Sequence, residues 1–169
     1  MKLKNNKGYV GIDASVAVLI LLILVPTIVG MIYNSNKTNS LIDRKTQAIN
    51  ISINTIEAMK GIGVDVINDT TKNIETELAT SLSSIYTLNG EIPISKTDVN
   101  NVNTINGLFL TKDDNTYKIT VEIQDYADTT EGKAQSAQQG YVKIVRAIVE
   151  YKFGKEIENV ELSTVISKE

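Results

Sequence analysis

One carboxylate, Asp13, stands at the head of an apolar run that carries no formal charge from Ala14 to Tyr33. Gly8 and Tyr9 lie just before it, behind a leader that contains Lys2, Lys4 and Lys7 and no acid. A carboxylate just inside a membrane-length apolar stretch is costly, so such a residue usually has a task. Buried, it requires a cation or hydrogen-bond donors. The plainer alternative is a solvated acid at a helix start, where the helix dipole favours negative charge.

Other chemistry has little to work with. The 169 residues include no Cys and no His. That removes disulfides, thiolate or imidazole metal sites and every nucleophile paired with a His. Acids gather at Asp113-Asp114 and at Asp125, Asp128 and Glu131. Oxygen ligands at such spacing can hold Ca²⁺, but neither group follows the twelve-residue EF-hand order, and solvated turns are the preferred reading. Nothing marks a pocket around a carboxylate pair, so no enzyme activity and no cofactor are expected. Gly61-Ile62-Gly63 follows a helical pattern rather than a strand, which argues against a phosphate loop. The net charge of −3 and the scattered lysines after Lys7 argue against a nucleic-acid partner.

The elements that must position Asp13 follow from the apolar pattern. Ala14 to Tyr33 is about twenty residues, enough at ~1.5 Å per residue to cross a ~30 Å hydrocarbon core. Lysines precede it and Asn34-Ser35-Asn36 follow it, so the positive-inside rule puts the N-terminus in the cytoplasm and the chain after residue 34 outside. A cleavable secretory signal fits poorly: the run exceeds the usual h-region and no small-x-small site follows it. Beyond Tyr33 the pattern becomes periodic. Leu41, Ile42, Ala48, Ile49, Ile53, Ile56 and Met59 recur at three- and four-residue steps, giving one buried stripe. One helix of about 75 Å is expected from Val10 to Lys60, stopped by Gly61-Ile62-Gly63. Pro26 removes a backbone donor and should bend or locally melt the first half, with Gly30 widening the flexible region.

Lys7-Gly8-Tyr9-Val10-Gly11-Ile12-Asp13 and the run behind it resemble the class III signal of type IV pilins and pseudopilins. In that family a basic leader ends in Gly, an aromatic residue follows, and an acid stands fifth after the cut. The resemblance implies a leader of residues 1–8, cleavage between Gly8 and Tyr9, N-methylation of Tyr9 by the same prepilin peptidase, and Asp13 as the acid. Two departures are visible: Tyr9 stands where Phe is usual and Asp13 where Glu is usual. The resemblance also implies that the freed amine of a neighbouring Tyr9 pairs with Asp13 and fixes register between subunits. Pilins often carry a helix-breaking Pro in this half; Pro26 sits about a turn earlier than usual.

The remainder reads as an extracytoplasmic head, residues 34–169, opening with the amphipathic helix 34–60. Val64, Ile67, Ile74, Leu78, Leu82 and Ile85 suggest more helix across 64–88, with a weak spot at Thr70-Thr71. Residues 89–106, Asn-rich and broken by Pro93, read mostly as loop. Leu108-Phe109-Leu110, the polar turn 112–115, and Tyr117, Ile119, Val121 and Ile123 alternating with polar residues read as a hairpin. A long polar connection runs from Asp125 to Gly140. Val142 to Phe153 alternates in both phases, with the set Lys143 to Phe153 apolar-rich near the end, so the buried face is expected to change along the strand or both faces to be partly covered. Gly154-Lys155 turns the chain, and Ile157, Val160, Leu162 and Val165 or Ile166 belong to the last strand. The fold class expected is α+β: a long N-terminal helix against an antiparallel sheet.

The stretches Ala48–Lys60 and Val142–Ser167 are similar to the stalk-to-head transition and terminal hairpin of minor pilins and pseudopilins from clostridia-like Gram-positive bacteria. The implied role is a structural subunit, assembled through its N-terminal helix. The implied partners are a prepilin peptidase, other pilin subunits, and an assembly platform with its ATPase. Residues 9–33 would hold the precursor in the cytoplasmic membrane before it joins a cell-surface filament, where such subunits serve adhesion or secretion. The competing reading is a signal-anchored binding module that is never cut.

Overall fold

The computed structural model describes residues 7–69, 73–89, 95–99 and 102–168, with side chains in 7–12 and 95–99 left out of the description. The chain divides into two compact units at Ile42/Asp43. Helix α1 runs Lys7–Asn68; the first unit contributes only its apolar half.

The second unit has two layers. Of the stripe expected from the spacing, Ala48, Ile56 and Met59 are covered, whereas Ile42, Ile49 and Ile53 are exposed. From Asp43 onward the face that α1 buries is Ala48, Ile51, Ser52, Thr55, Ile56 and Met59. Ser52 and Thr55 sit in this apolar face without an orphaned hydroxyl. Each donates back to the carbonyl four residues earlier, Ala48 at 2.9 Å and Ile51 at 2.7 Å. The helical dihedrals break at Gly63 (φ 77°, ψ 162°), and a last helical turn continues to Asn68. The expected stop is therefore a break inside a longer helical segment. Helix α2 follows at Ile74–Ser83, burying Ile74, Leu78, Ala79 and Leu82. Thr70-Thr71 and Pro93 lie outside the described residues.

The sheet contains β1 (Thr87–Asn89), β2 (Ser95–Val99), β3 (Val102–Lys112), β4 (Asn115–Asp125), β5 (Val142–Phe153) and β6 (Glu156–Ser167). Its order is β1-β3-β4-β5-β6, with the short β2 sharing the outer edge of β3 beside β1. Every pairing is antiparallel. The loop expected over 89–106 is corrected here. Ser95–Val99 and Val102–Asn106 pair with each other in a hairpin ladder. Lys, Asn and Asp are weak strand formers, and a partner strand overrides their preference.

One face of the sheet receives α1. Leu110, Tyr117, Ile119, Val121, Val145, Ala147 and Val149 on that face are at most 1% exposed. In β5 the covered phase is Val145, Ala147, Val149 and Tyr151, without a switch along the strand. In β6 it is Val160, Leu162 and Ile166; Ile157 and Val165, grouped with them by sequence, point the other way and are exposed. Ile105 and Leu108 are both covered despite their odd spacing, because the register slips between them and Gly107 adopts φ 93°. The opposite face mixes Ile157 and Val165 with charges, crossed by ion pairs Lys118–Glu150 at 2.8 Å, Arg146–Glu122 at 3.3 Å and Arg146–Glu161 at 3.0 Å. Their exposure limits each to roughly 0–1 kcal/mol.

Gln47 fastens the helix to the β3–β4 turn. It accepts from the Tyr117 hydroxyl through Oε1 and donates through Nε2 to Asp113 Oδ2 at 2.8 Å. The turn itself places Asp113 at φ 49° and Asp114 at φ 61°. Two central residues with positive φ match the twist of the flanking strands, and Asp tolerates that region better than most side chains.

Candidate processing and assembly segment

Gly8 and Tyr9 lie in the first turn of α1, and Asp13 follows Tyr9 by four residues, about one helical turn. Asp13 is exposed. From Val16 to Tyr33 the large apolar side chains are between 48% and 69% exposed, on every side of the helix. No single apolar stripe exists here to pack against one neighbour. Such a surface is stable only in hydrocarbon or in a bundle that surrounds it. Among the described residues this is one helix long and apolar enough to cross a membrane, by length and composition.

Pro26 lies inside α1, and Gly63 is the position whose dihedrals leave the helical region. Next to the proline, Thr27 Oγ1 donates to the Ile23 carbonyl at 2.7 Å. Thr38 repeats the bond to Asn34 at 2.9 Å. Pro26 cannot donate to the Leu22 carbonyl; an apolar hollow is lined by Val18, Leu21, Leu22, Val25 and Pro26. A Cβ added at Gly30 would meet nothing within 4 Å.

The acid clusters are resolved differently. Asp113 and Asp114 form the hairpin turn, with Asp113 engaged by Gln47. Asp125 is 7% exposed and accepts three donors: Ala127 N–H on Oδ1 at 3.0 Å, Gly140 N–H on Oδ2 at 2.7 Å and Lys143 Nζ on Oδ2 at 2.9 Å. Burial alone would raise its pKa. The Lys143 hydrogen bond, the two backbone donors and the Lys143 charge outweigh burial and hold it below the ordinary carboxylate value. The ammonium of Lys143 thus sits where a bound cation would have to. Among the described residues no three acids converge on a point that could hold a metal ion. The sequence reading placed Asp125 in a polar connection and missed this cluster. Its signal, a Lys eighteen residues from an Asp, is not a local one.

No protein-family model matches the chain, and neither curated proteins nor solved structures give a match.

Proposed function

We propose that this chain is a structural subunit, a minor pilin, of a type IV pilus or related filament. The supporting observation is the pairing of Asp13 with a helix half whose apolar surface is exposed all round. A lone anchor in lipid needs such a surface but not an acid at its head. A helix packed among copies of itself can use both, the acid being matched by a neighbour's amine. An antiparallel sheet layered on the later half of α1 is compatible with a pilin head.

On this reading a prepilin peptidase cuts between Gly8 and Tyr9 on the cytoplasmic side and methylates Tyr9. The precursor waits in the cytoplasmic membrane with its C-terminus outside. An assembly platform and its ATPase then move it into a cell-surface filament among other pilin subunits. The test is the mature N-terminus. Mass spectrometry of protein co-expressed with a prepilin peptidase is expected to show a chain beginning at methylated Tyr9. A chain that keeps Met1 would overturn the proposal and leave an uncut membrane-anchored module.

A further inference from the structure

We propose that the Asp125 carboxylate is a clasp whose release lets residues 126–141 open as a unit while the sheet stays folded. The two ends of this segment meet on one side chain: Oδ1 holds Ala127 N–H at the entry and Oδ2 holds Gly140 N–H at the exit. Lys143, the second residue of β5, completes the set. Gly140 is pinned from its other side as well, its carbonyl accepting from Asn68 Nδ2 of α1 at 2.7 Å.

Between the ends the segment braces itself. Tyr126–Asp128 forms a 3₁₀ turn, and helix α3 spans Thr130–Ala134. Thr129 Oγ1 accepts from Gly132 N–H at 2.9 Å and donates to the Tyr126 carbonyl at 2.7 Å. A Cβ on Gly132 would lie 1.8 Å from the Tyr126 carbonyl oxygen, so the closure is one only glycine permits. Ala137 N–H donates to the Gly132 carbonyl at 2.9 Å, and Gln139 Nε2 to Asp128 Oδ1 at 2.8 Å.

Bonds inside the segment are plentiful, whereas it is anchored to the rest of the fold through the Asp125 set, the Asn68 bond to Gly140, and the Lys168 N–H bond to the Tyr141 carbonyl at 2.8 Å. Beneath it lies a polar cavity of about 250 Å³, lined on the sheet side by Asn103, Ile123 and Lys143 and on the segment side by Asp128 and Gln139. A compact loop with its own hydrogen bonds, seated largely over a polar hollow and burying only Ala127 and Gly132 of its own residues, opens with less loss than a strand does. The charged groups at the base are Asp125, Lys143 and Asp128, and the Asp125 charge is what both Lys143 and the backbone donors recognise.

Lys133 supplies the readout, being the one Lys or Arg between Asp125 and Gly140 and exposed on α3. Trypsin at neutral pH would be applied to the full chain in detergent, comparing the wild type with Asp125→Asn. Cleavage after Lys133 follows the population of the open loop when opening is fast. Losing charge-assisted bonds is expected to raise its rate by at least about tenfold. Backbone amides of Ile119–Ile123 and Val145–Val149 should keep their hydrogen-exchange protection. Asn68→Ala, a change at an exposed residue, should raise the same cleavage by a smaller factor. If Asp125→Asn does not fold, Asn68→Ala decides the matter alone. Unchanged cleavage after Lys133, or β4 and β5 amides losing protection in step with it, would overturn the clasp and make Asp125 ordinary core.

Discussion

Asp125 carries three donors on two oxygens, and its depressed pKa gives the bond set a definite pH dependence. The folded-state pKa lies below the unfolded value of about 3.9, so the folded state binds fewer protons. Its contribution is therefore fully present above that value. It is lost as pH falls through the unfolded and then the folded pKa. Thermal melts of the wild type and Asp125→Asn should differ by a constant amount well above the unfolded value and converge as pH falls through the folded-state value. A gap that stayed open in acid would mean that shape, not charge, matters at this position. At the residue scale Gly8, Tyr9 and Asp13 can be grouped from the sequence because they are close in the chain, and the role given to them is the proposal above. Asp125, Gly140 and Lys143 are distant in sequence and become neighbours only through the β4–β5 pairing. Periodicity carries no trace of such a cluster.

Gly61 and Gly63, two residues apart, offer opposite responses to one methyl group. Gly61 lies in helix with nothing within 4 Å of an added Cβ, whereas Gly63 adopts φ 77°, ψ 162°, where L-residues pay for a side chain. Gly61→Ala should stabilise the fold by roughly 0.5–1 kcal/mol. Gly63→Ala should destabilise it by about 1–3 kcal/mol, through backbone conformation since no neighbour is struck. Denaturant melts of the two variants should shift in opposite directions; a shared sign would mean that α1 does not break at Gly63. The elements show where sequence reasoning reaches. The β3–β4 hairpin was legible because Tyr117 to Ile123 alternates strictly and two Asp residues fill the turn. The β2 strand was hidden because its Ser-Lys-Thr-Asp-Val sequence has little apolar alternation and depends on β3 for its pairing. In β6 all the residues expected in the last strand lie there, but Ile157 and Val165 fall in the opposite phase of the pleat from Val160, Leu162 and Ile166 and are exposed.

For the whole molecule the two units pose different physical problems. The second covers most of its apolar surface, with α1 beyond Asp43 against one sheet face and ion pairs across the other, where Ile157 and Val165 stay exposed. The first does not, since its apolar side chains from Val16 to Tyr33 are at least 48% exposed. A bilayer would cover them, but it offers Asp13 only the headgroup zone; a bundle of sister helices offers a cation at every copy if cleavage frees one. The proposed assembly therefore makes a prediction that membrane anchoring alone does not. Asp13→Ala should leave cleavage after Gly8 largely intact, since the cut lies five residues away. Its entry into filaments should fall by at least about tenfold, because the partner ammonium would be buried without a counter-charge. Asp13→Glu keeps the carboxylate and should recover most of the entry. Immunoblots of sheared filaments against the membrane fraction would read both quantities in the same cells. Equal filament entry for Asp13→Ala and the wild type would mean that the carboxylate does not set register. The apolar helix alone would then have to hold each subunit in place.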